Sequence, residues 1–249
     1  GKMSAGAHRL AYPHASSTFT TLSLVRAMAP VKIVLESLQQ EHKDSLNVEV
    51  QGCFAKVIQE TLQTEYHPGK SYLNSLVRQY VSQVDASSQD VQDESLLELI
   101  LYFSMMKDSV LSDPLESCHV SFSLAEDLLR LQVAPRHNNV ALKVWEAGAC
   151  LAEYLIQNPH YIKGKKGFEL GAGVGLTGLV AMACCEPLSI HMTDYTEAGL
   201  NNLQHNIDIN SEWIQKRVGS HVRLKEIVTL VCAFDSIATR QVLAGTLTD

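Results

Sequence analysis

The sequence of 249 residues lacks the features that mark several classes of protein. Its 6 cysteines form no C-x-x-C pair, and Cys184 and Cys185 are adjacent, so neither a zinc site nor a disulfide framework is favoured. We interpret the cysteines as buried free thiols in a reducing compartment. No uncharged run reaches the roughly 20 residues of a membrane-spanning helix, and no N-x-S/T glycosylation sequon occurs. We therefore expect a cytoplasmic protein without a metal and without membrane contact.

Positive charge is also scarce. Lys and Arg number 20 against 27 Asp and Glu, which gives a net charge of -7, so the chain has no broad electrostatic attraction for nucleic acid. Acidic residues are missing only from the start, since residues 1–35 contain none and are rich in Ser, Thr and Ala. We predict a disordered leader over residues 1–30, with an organelle transit peptide as the alternative.

Helical periodicity runs through residues 31–112. Apolar residues at helical spacing form stripes at 54–62 and 73–84, and the denser run at 96–106 predicts a largely buried helix. The polar, Ser-rich stretch at 84–94 predicts a loop. We expect a helical N-terminal region that supplies surface and no chemistry.

From residue 113 to residue 249 the pattern becomes that of an α/β domain. Alternating apolar residues predict strands at 120–124 and 129–133. Further strands are expected at 188–193 and 221–231, with a helix at 197–210 between them. A helix is also predicted at 141–157, with one apolar face made of Val144, Ala147, Cys150, Leu151, Tyr154 and Leu155.

The most informative segment is residues 167–178, G-F-E-L-G-A-G-V-G-L-T-G, between an apolar strand and an apolar helix. Gly171, Gly173 and Gly175 allow a tight turn and leave no side chain between the backbone and a ligand. The free N–H groups at the start of the following helix face the same space and suit a carboxylate or a phosphate.

Two ligands fit this loop. Gly173, Gly175 and Gly178 satisfy the dinucleotide pattern G-x-G-x-x-G, and Asp194 lies 19 residues after Gly175, at the end of a predicted strand. A carboxylate there accepts the ribose hydroxyls of NAD or of S-adenosylmethionine, so Asp194 does not distinguish the two. Glu169 does, because a carboxylate two residues before the first glycine attracts ammonium and sulfonium groups and repels a pyrophosphate. Glu169 favours S-adenosylmethionine, and the alternative is a solvated strand end.

The segment E-L-G-A-G-V-G-L-T-G resembles motif I of the seven-strand S-adenosylmethionine-dependent methyltransferases. The stretch V-W-E-A-G-A-C-L-A-E-Y-L is similar to a segment of their protein-lysine methyltransferase branch. Within that branch, L-A-E-Y-L-I-Q-N-P and the earlier V-S-F-S strand resemble the elongation factor 2 lysine methyltransferase family. The resemblance implies a Rossmann-like class I sheet with an N-terminal helical region. It also implies methyl transfer from S-adenosylmethionine to a lysine of a protein, with translation elongation factor 2 as the expected partner.

The same resemblance implies roles for single residues. Trp145 would contact the cofactor, and a buried hydrophobic anchor is the alternative. Asp194 would hold the ribose. The residues that would line the amino-acid end of the cofactor are Gly171, Ala172 and Gly173.

The end of the sequence departs from the family pattern. The family's L-D-W segment is absent, Ala233-Phe234-Asp235 stands near its place, and no further strand-helix unit follows. We therefore expect a sheet that is incomplete at its C-terminus and a short form of low or no activity, and no catalytic residue is assigned. The alternatives are a non-catalytic protein that binds S-adenosylmethionine or a partner, and an NAD-linked oxidoreductase.

Overall fold

A computed structural model describes residues 21–87, 89–111, 113, 116–124, 127–218 and 229–231. The chain divides into two units, with the boundary between Ser123 and Leu124. The unit before the boundary is mostly helical, and the unit after it contains a parallel sheet. The boundary lies 11 residues after position 113, where the sequence pattern changes.

The described part of the first unit, called here the helical unit, contains helices and all but the last residue of one strand. Two of the helices begin with a side-chain N-cap. Asn47 accepts a hydrogen bond from the N–H of Val50 at 3.0 Å, and Asp93 accepts one from the N–H of Leu96 at 2.9 Å. The elements are α1 (Thr21–Arg26), α2 (Val31–Glu41), α3 (Val48–Leu62), α4 (Lys70–Ala86), α5 (Glu94–Ser104), α6 (Asp108–Leu111) and β1 (Cys118–Leu124).

The core of the helical unit is apolar. The stripes predicted at 54–62 and 73–84 face it, and their most buried members are at most 1% exposed: Phe54, Ile58, Leu73, Leu76, Tyr80 and Val84. The rings of Phe54 and Tyr80 stack with centroids 4.1 Å apart, and the Tyr80 hydroxyl donates to the carbonyl of Ser45 at 2.7 Å. Removal of these side chains from water is the main driving force for folding of this unit.

Helix α5 differs from the largely buried helix that we predicted at 96–106. Leu96, Leu99 and Phe103 are buried, but Leu97 is 44% and Leu101 is 61% exposed. The helix is apolar on more than one face, while the core covers only the face that carries Leu96 and Leu99. The prediction of burial was therefore wrong for the outer face.

Helix α1 lies inside the segment for which we predicted a disordered leader. Leu24 and Val25 are buried in the apolar core, and the N–H of Thr21 donates to the Glu41 carboxylate at 2.6 Å. The packed part of the helical unit therefore includes residues 21–30. Residues 1–20 of the predicted leader lie outside the described residues.

The second unit, called here the sheet unit, begins with β2 (Asp127–Val133), a 3₁₀ turn (Val140–Leu142) and α7 (Glu146–Gln157). Then β3 (Lys166–Leu170), α8 (Leu176–Cys185), β4 (Ser189–Asp194), α9 (Glu197–Val218) and β5 (Thr229–Val231) follow. The last three strands form a parallel sheet in the order β3-β4-β5, in which Glu169 pairs with Met192 and Asp194 with Val231. Parallel neighbours need a crossover, which α8 provides for β3 and β4. Residues 221–228 of the strand predicted at 221–231 lie outside the described residues.

Helix α7 packs on α8 through small residues. Ala149 and Ala152 are buried, and the Thr177 hydroxyl donates to the carbonyl of Gly148 at 3.3 Å. The apolar face that we predicted for this helix is wrong, since Leu151 and Tyr154 are each 48% exposed. The reason is that small side chains allow a close approach to α8, which turns the larger apolar residues outward.

The cysteines are only partly buried. Cys118 and Cys185 are buried, whereas Cys53 and Cys150 are exposed on α3 and α7, and all four are free. The interpretation of buried free thiols therefore holds for the first two and is wrong for the exposed pair.

Candidate cofactor-binding site

The carboxyl ends of β3 and β4 lie at the same edge of the sheet, where Leu170 pairs with Thr193. The glycine loop, residues 171–175, leaves β3 at this edge and leads into α8. Asp194 is the last residue of β4. In parallel α/β sheets, ligands bind in the crevice outside the carboxyl ends of the strands. The predicted loop and the predicted ribose acid are thus side by side where a ligand is expected.

The glycine loop has a backbone that favours glycine at three positions. Gly171, Gly173 and Gly175 have φ values of 68°, 55° and 86°. A Cβ on Gly171 would have no heavy atom within 4 Å, whereas a Cβ on Gly175 would lie 2.5 Å from Leu203 Cδ1. Gly171 therefore borders open space that a ligand can enter, and Gly175 lets the loop pack on α9.

Asp194 joins the glycine loop to the end of β4. It is 4% exposed, its Oδ2 accepts from the N–H of Gly173 at 2.9 Å, and its Oδ1 accepts from the N–H of Tyr195 at 2.7 Å. The N–H of Ala172 donates to the carbonyl of Thr193 at 2.8 Å. Each carboxylate oxygen has a second lone pair and can still accept a hydrogen bond from a hydroxyl.

The turn at 139–142 is a third segment of the site. The side chain of Asn139 accepts from the N–H of Ala141 at 3.0 Å and donates to the Thr196 hydroxyl at 3.4 Å. A Cβ on Gly173 would lie 3.4 Å from the carbonyl oxygen of Ala141, and one on Gly199 would lie 2.9 Å from Ala141 Cβ. The turn therefore packs directly on the glycine loop and on the start of α9.

Trp145 lies on the surface where α7 begins. Its side chain is 55% exposed, and its Nε1–H donates to the carbonyl of Val140 at 3.0 Å. The alternative of a buried hydrophobic anchor is therefore wrong. The bond to Val140 attaches the indole to the turn that packs on Gly173, so an exposed aromatic face is available next to the loop.

Glu169 lies on β3 beside the start of α8. Its Oε2 is buried and has no hydrogen-bond partner in the described part of the chain. A Cβ on Gly178 would lie 2.7 Å from this oxygen, so the glycine leaves room for the carboxylate. Burial raises the pKa of Glu169 to about 7. The nearby Thr177 hydroxyl and Gly178 N–H lower this pKa by a smaller amount, although neither makes a hydrogen bond to Oε2. The alternative of a solvated strand end is wrong.

Sequence reasoning missed the asparagines of α9. Asn206 and Asn210 are both 0% exposed and pair with the backbone of β2, and Asn206 also donates to the carbonyl of Val174 in the glycine loop. A signal was present, because asparagine is a poor residue for a helix interior and Asn202, Asn206 and Asn210 recur at a spacing of four. The buried face of α9 also carries the apolar residues Leu203 and Ile207.

The donors and acceptors of this edge fit S-adenosylmethionine. Glu169 provides a buried acceptor without a partner, Asp194 has lone pairs free for hydroxyl groups, and Gly171 leaves open space. Two carboxyl groups suit a ligand with an ammonium, a sulfonium and a ribose, and they disfavour a pyrophosphate. The residues that would hold the cofactor are Trp145, Glu169, Gly171, Ala172, Gly173, Gly175 and Asp194.

Two further properties concern the described residues as a whole. They contain no helix with the length and apolar composition needed to cross a bilayer. Within the same residues, His, Cys, Asp and Glu side chains do not gather in groups of three that could hold a metal ion.

Comparison with known proteins identifies a family for most of the sheet unit. Residues 124–226 match the family model described as lysine methyltransferase. The chain is 26% identical over 180 residues to the protein-lysine N-methyltransferase EEF2KMT of Bos taurus, which covers 70% of this chain and 51% of the relative. It is 23% identical over 217 residues to EEF2KMT of Mus musculus, which covers 84% of this chain and 62% of the relative.

A second group of relatives aligns over a shorter region. The protein N-terminal and lysine N-methyltransferase efm7 of Schizosaccharomyces pombe is 35% identical over 89 residues, covering 35% of this chain and 34% of the relative. The chain thus spans between one third and about two thirds of the lengths of these relatives. The matched family is a class I S-adenosylmethionine-dependent methyltransferase domain, which confirms the predicted fold class. Residues 124–226 therefore match the lysine methyltransferase family, and the chain resembles the elongation factor 2 lysine methyltransferases.

Proposed function

We propose that the chain binds S-adenosylmethionine at the glycine loop and takes part in methyl transfer to a lysine of a protein. The observation that carries the proposal is the pairing of the Gly173 N–H with Asp194 beside the buried, unpartnered Glu169 oxygen. This arrangement joins an acceptor for ribose hydroxyls to an acceptor for a cationic amino-acid group. The match of residues 124–226 to the lysine methyltransferase family supports the same function.

In this proposal each side chain has a binding role. Asp194 accepts the ribose hydroxyls, while Gly171, Ala172, Gly173 and Gly175 allow the backbone to approach the ligand. Trp145 covers the bound ligand with its exposed face. The cofactor supplies an activated methyl group, so the protein chiefly aligns the lysine and removes water from its amine.

Glu169 links cofactor binding to pH. Burial raises the pKa of Glu169 to about 7, so the carboxyl is partly protonated in the free protein at neutral pH. A neighbouring ammonium group favours the ionised form and lowers the pKa again. We therefore expect binding to release a proton from Glu169 near neutral pH, and affinity to rise as the pH increases through 7.

The binding part is tested by calorimetry with S-adenosylhomocysteine, the demethylated product, and with NADH. We expect saturable binding of the first and none of the second. The variant Asp208→Asn serves as the matched control for Asp194→Asn. Asp194 ends β4 in the candidate site, whereas Asp208 lies on α9, is exposed, and accepts a hydrogen bond from Gln204. Binding of NADH alone would contradict the proposal in favour of an oxidoreductase.

The substrate that we propose is translation elongation factor 2, and the proposed location is the cytoplasm, where translation occurs. The support is the likeness to the EEF2KMT relatives of Bos taurus and Mus musculus. Purified elongation factor 2 is incubated with the chain and with S-adenosylmethionine labelled in the methyl group, followed by mass spectrometry of its lysines. Label on one lysine supports the proposal. If the chain binds the cofactor but transfers no methyl group to any protein of a cell lysate, the proposed methyl transfer is contradicted. The result would then support a non-catalytic protein that binds S-adenosylmethionine.

A further inference from the structure

Helix α9 presents a stripe of asparagines to β2. Asn206 Oδ1 accepts from the N–H of Gln132 at 2.7 Å, and its Nδ2 donates to the carbonyl of Gln132 at 3.3 Å. Asn210 repeats this pattern on Arg130, with an acceptor bond of 3.0 Å and a donor bond of 2.6 Å. An asparagine side chain carries the same donor and acceptor as a peptide group. The stripe therefore pairs with β2 in the way that a neighbouring strand would.

The spacing of the two elements explains why this pairing is possible. Four residues of a helix advance by about 6 Å, and two residues of a strand advance by about 6.6 Å. Asn206 and Asn210 are four residues apart, and Arg130 and Gln132 are two apart. Successive turns of α9 thus meet the peptide groups of β2 that point toward this helix. Both asparagines are 0% exposed.

Asn206 differs from Asn210 in one contact. Its Nδ2 also donates to the carbonyl of Val174 at 2.9 Å, in a buried hydrogen bond. The corresponding extra bond of Asn210 stays inside α9 and ends on the carbonyl of Asn206 at 2.6 Å. Among the described contacts of the stripe, the bond from Asn206 to Val174 is the one that reaches the glycine loop.

Val174 is the central residue between two glycines with positive φ. It is 3% exposed, and the peptide that carries its carbonyl also carries the N–H of Gly175, which donates to the carbonyl of Ala172 at 2.9 Å. On the other side, the N–H of Gly173 donates to Asp194. A bond that holds the Val174 carbonyl therefore constrains the orientation of the whole turn. Without this bond, the turn would contain a buried acceptor with no partner, which is unfavourable.

From these contacts we propose that Asn206 is a positioning residue, which holds the glycine loop in the conformation that binds the cofactor. The bond from Asn206 to Val174 joins the loop to β2 through α9, the same helix that follows Asp194. The part of this inference that concerns cofactor affinity rests on the proposed function, whereas the part that concerns the loop does not.

The test compares Asn206→Asp with Asn210→Asp. Both changes keep the size of the side chain, remove the Nδ2 donor, and place a carboxylate at a fully buried position that pairs with β2. The measurements are amide hydrogen exchange of a peptide covering residues 171–176, and calorimetric affinity for S-adenosylhomocysteine. Melting temperature reports the structural cost that the two variants share.

We expect Asn206→Asp to accelerate exchange at residues 171–176 by about tenfold or more, and to weaken S-adenosylhomocysteine binding by a similar factor. Asn210→Asp is expected to lower the melting temperature by about as much as Asn206→Asp does. Its amide exchange at residues 171–176 and its affinity for S-adenosylhomocysteine should stay within about twofold of the unsubstituted chain. If either aspartate variant does not fold, the same pair is made as Asn206→Ser and Asn210→Ser, which carry no charge.

The outcomes separate the inference from the proposed function. Equal changes of loop exchange in the two variants, or none in Asn206→Asp, would overturn the positioning role. Faster loop exchange with unchanged affinity would overturn its link to the cofactor. If the unsubstituted chain binds no S-adenosylhomocysteine, the proposed function fails, while the exchange comparison still decides whether Asn206 holds the loop.

Discussion

Gln51 of the helical unit and Asn206 of the sheet unit are both buried amide side chains that hold a loop by several hydrogen bonds. Gln51 is 1% exposed, accepts from the N–H groups of Gln92 and Asp93 at 3.0 and 3.3 Å, and donates to two backbone carbonyls. It thereby holds the connection that leads into α5. Asn206 holds the glycine loop next to Asp194. The two amides are alike, but only the second lies beside a candidate site.

The surroundings of the two amides differ more than their bonds. Gln51 lies at the border of an apolar core formed by residues such as Phe54, Leu76 and Val84. Around the glycine loop, Thr193, Asp194 and Asn206 are all buried and polar. Apolar burial depends little on the orientation of the contacting groups, whereas hydrogen bonds require it. We infer that substitutions in the helical core alter stability alone, and that those around the loop also alter ligand binding.

The largest effect on stability is expected from Phe54→Ala in the helical core. The side chain is 0% exposed and stacks on Tyr80, so its removal leaves a cavity and lowers the free energy of unfolding by about 3–5 kcal/mol. Urea unfolding followed by circular dichroism measures the change. Val48→Ala on the same helix is the control, since Val48 is 44% exposed. A weaker affinity of the folded variant for S-adenosylhomocysteine would contradict the separation of the two units.

Asp194→Asn is expected to have the largest effect on binding. The amide carries no charge and provides one acceptor where the carboxylate has two oxygens, so hydrogen bonds to ribose hydroxyls weaken. Loss of a hydrogen bond to a charged group corresponds to about 1.5–3 kcal/mol, or roughly a 10- to 150-fold weaker affinity. Calorimetric titration with S-adenosylhomocysteine measures this loss of affinity. A comparable loss in Asp208→Asn would show that the effect is not specific to the site.

Glu169→Gln is expected to stabilise the chain at high pH. Burial raises the pKa of this carboxyl from its ordinary value of 4.5 to about 7. Between these values the folded state binds more protons than the unfolded state, so stability falls as the pH rises from about 4.5 to 7 and stays lower above 7. A neutral glutamine avoids this cost, which for a rise in pKa of this size is about 3 kcal/mol.

Urea unfolding at pH 5 and pH 8 measures the effect of Glu169→Gln. The stabilisation should be present at pH 8 and much smaller at pH 5, and affinity for S-adenosylhomocysteine at pH 8 should fall because the acceptor for the ammonium loses its charge. Glu98→Gln on α5 is the control, because Glu98 is exposed and belongs to the helical unit. An equal gain at both pH values would contradict the assignment to the titration of Glu169.

The smallest effect is expected from Trp145→Ala. The indole is 55% exposed, so its loss should change the free energy of unfolding by less than about 1 kcal/mol. Binding of S-adenosylhomocysteine should weaken by about fivefold, since an aromatic contact is worth about 1 kcal/mol. Trp145→Phe keeps an aromatic ring but lacks the N–H that donates to Val140. Recovery of affinity in this variant assigns the effect to the ring, and unchanged affinity in both variants would remove Trp145 from the site.

Local pattern was a good guide to the elements and to the glycine loop. The stripes at 54–62 and 73–84 are the buried faces of α3 and α4, and Gly171, Gly173 and Gly175 do adopt the positive φ that a tight turn requires. Pattern was a poor guide to exposure where helices meet. Leu151 is exposed although the periodicity places it on an apolar face, because α7 approaches α8 through its small residues.

Residue pattern alone was enough to locate the two apolar stripes of the helical unit, the glycine loop, and the two acids expected to face its ligand. These features depend on residues that are close together in the chain, where spacing and residue type directly limit the backbone. The link that Asn206 makes between Gln132 and Val174 became visible in the folded chain, since these contacts join positions 74 and 32 residues apart. The raised pKa of Glu169 was likewise decided by packing, because burial against α8 sets it. The spacing of the asparagines in the sequence marks their common helix face, but it does not show which distant backbone groups they meet or how much water is lost there.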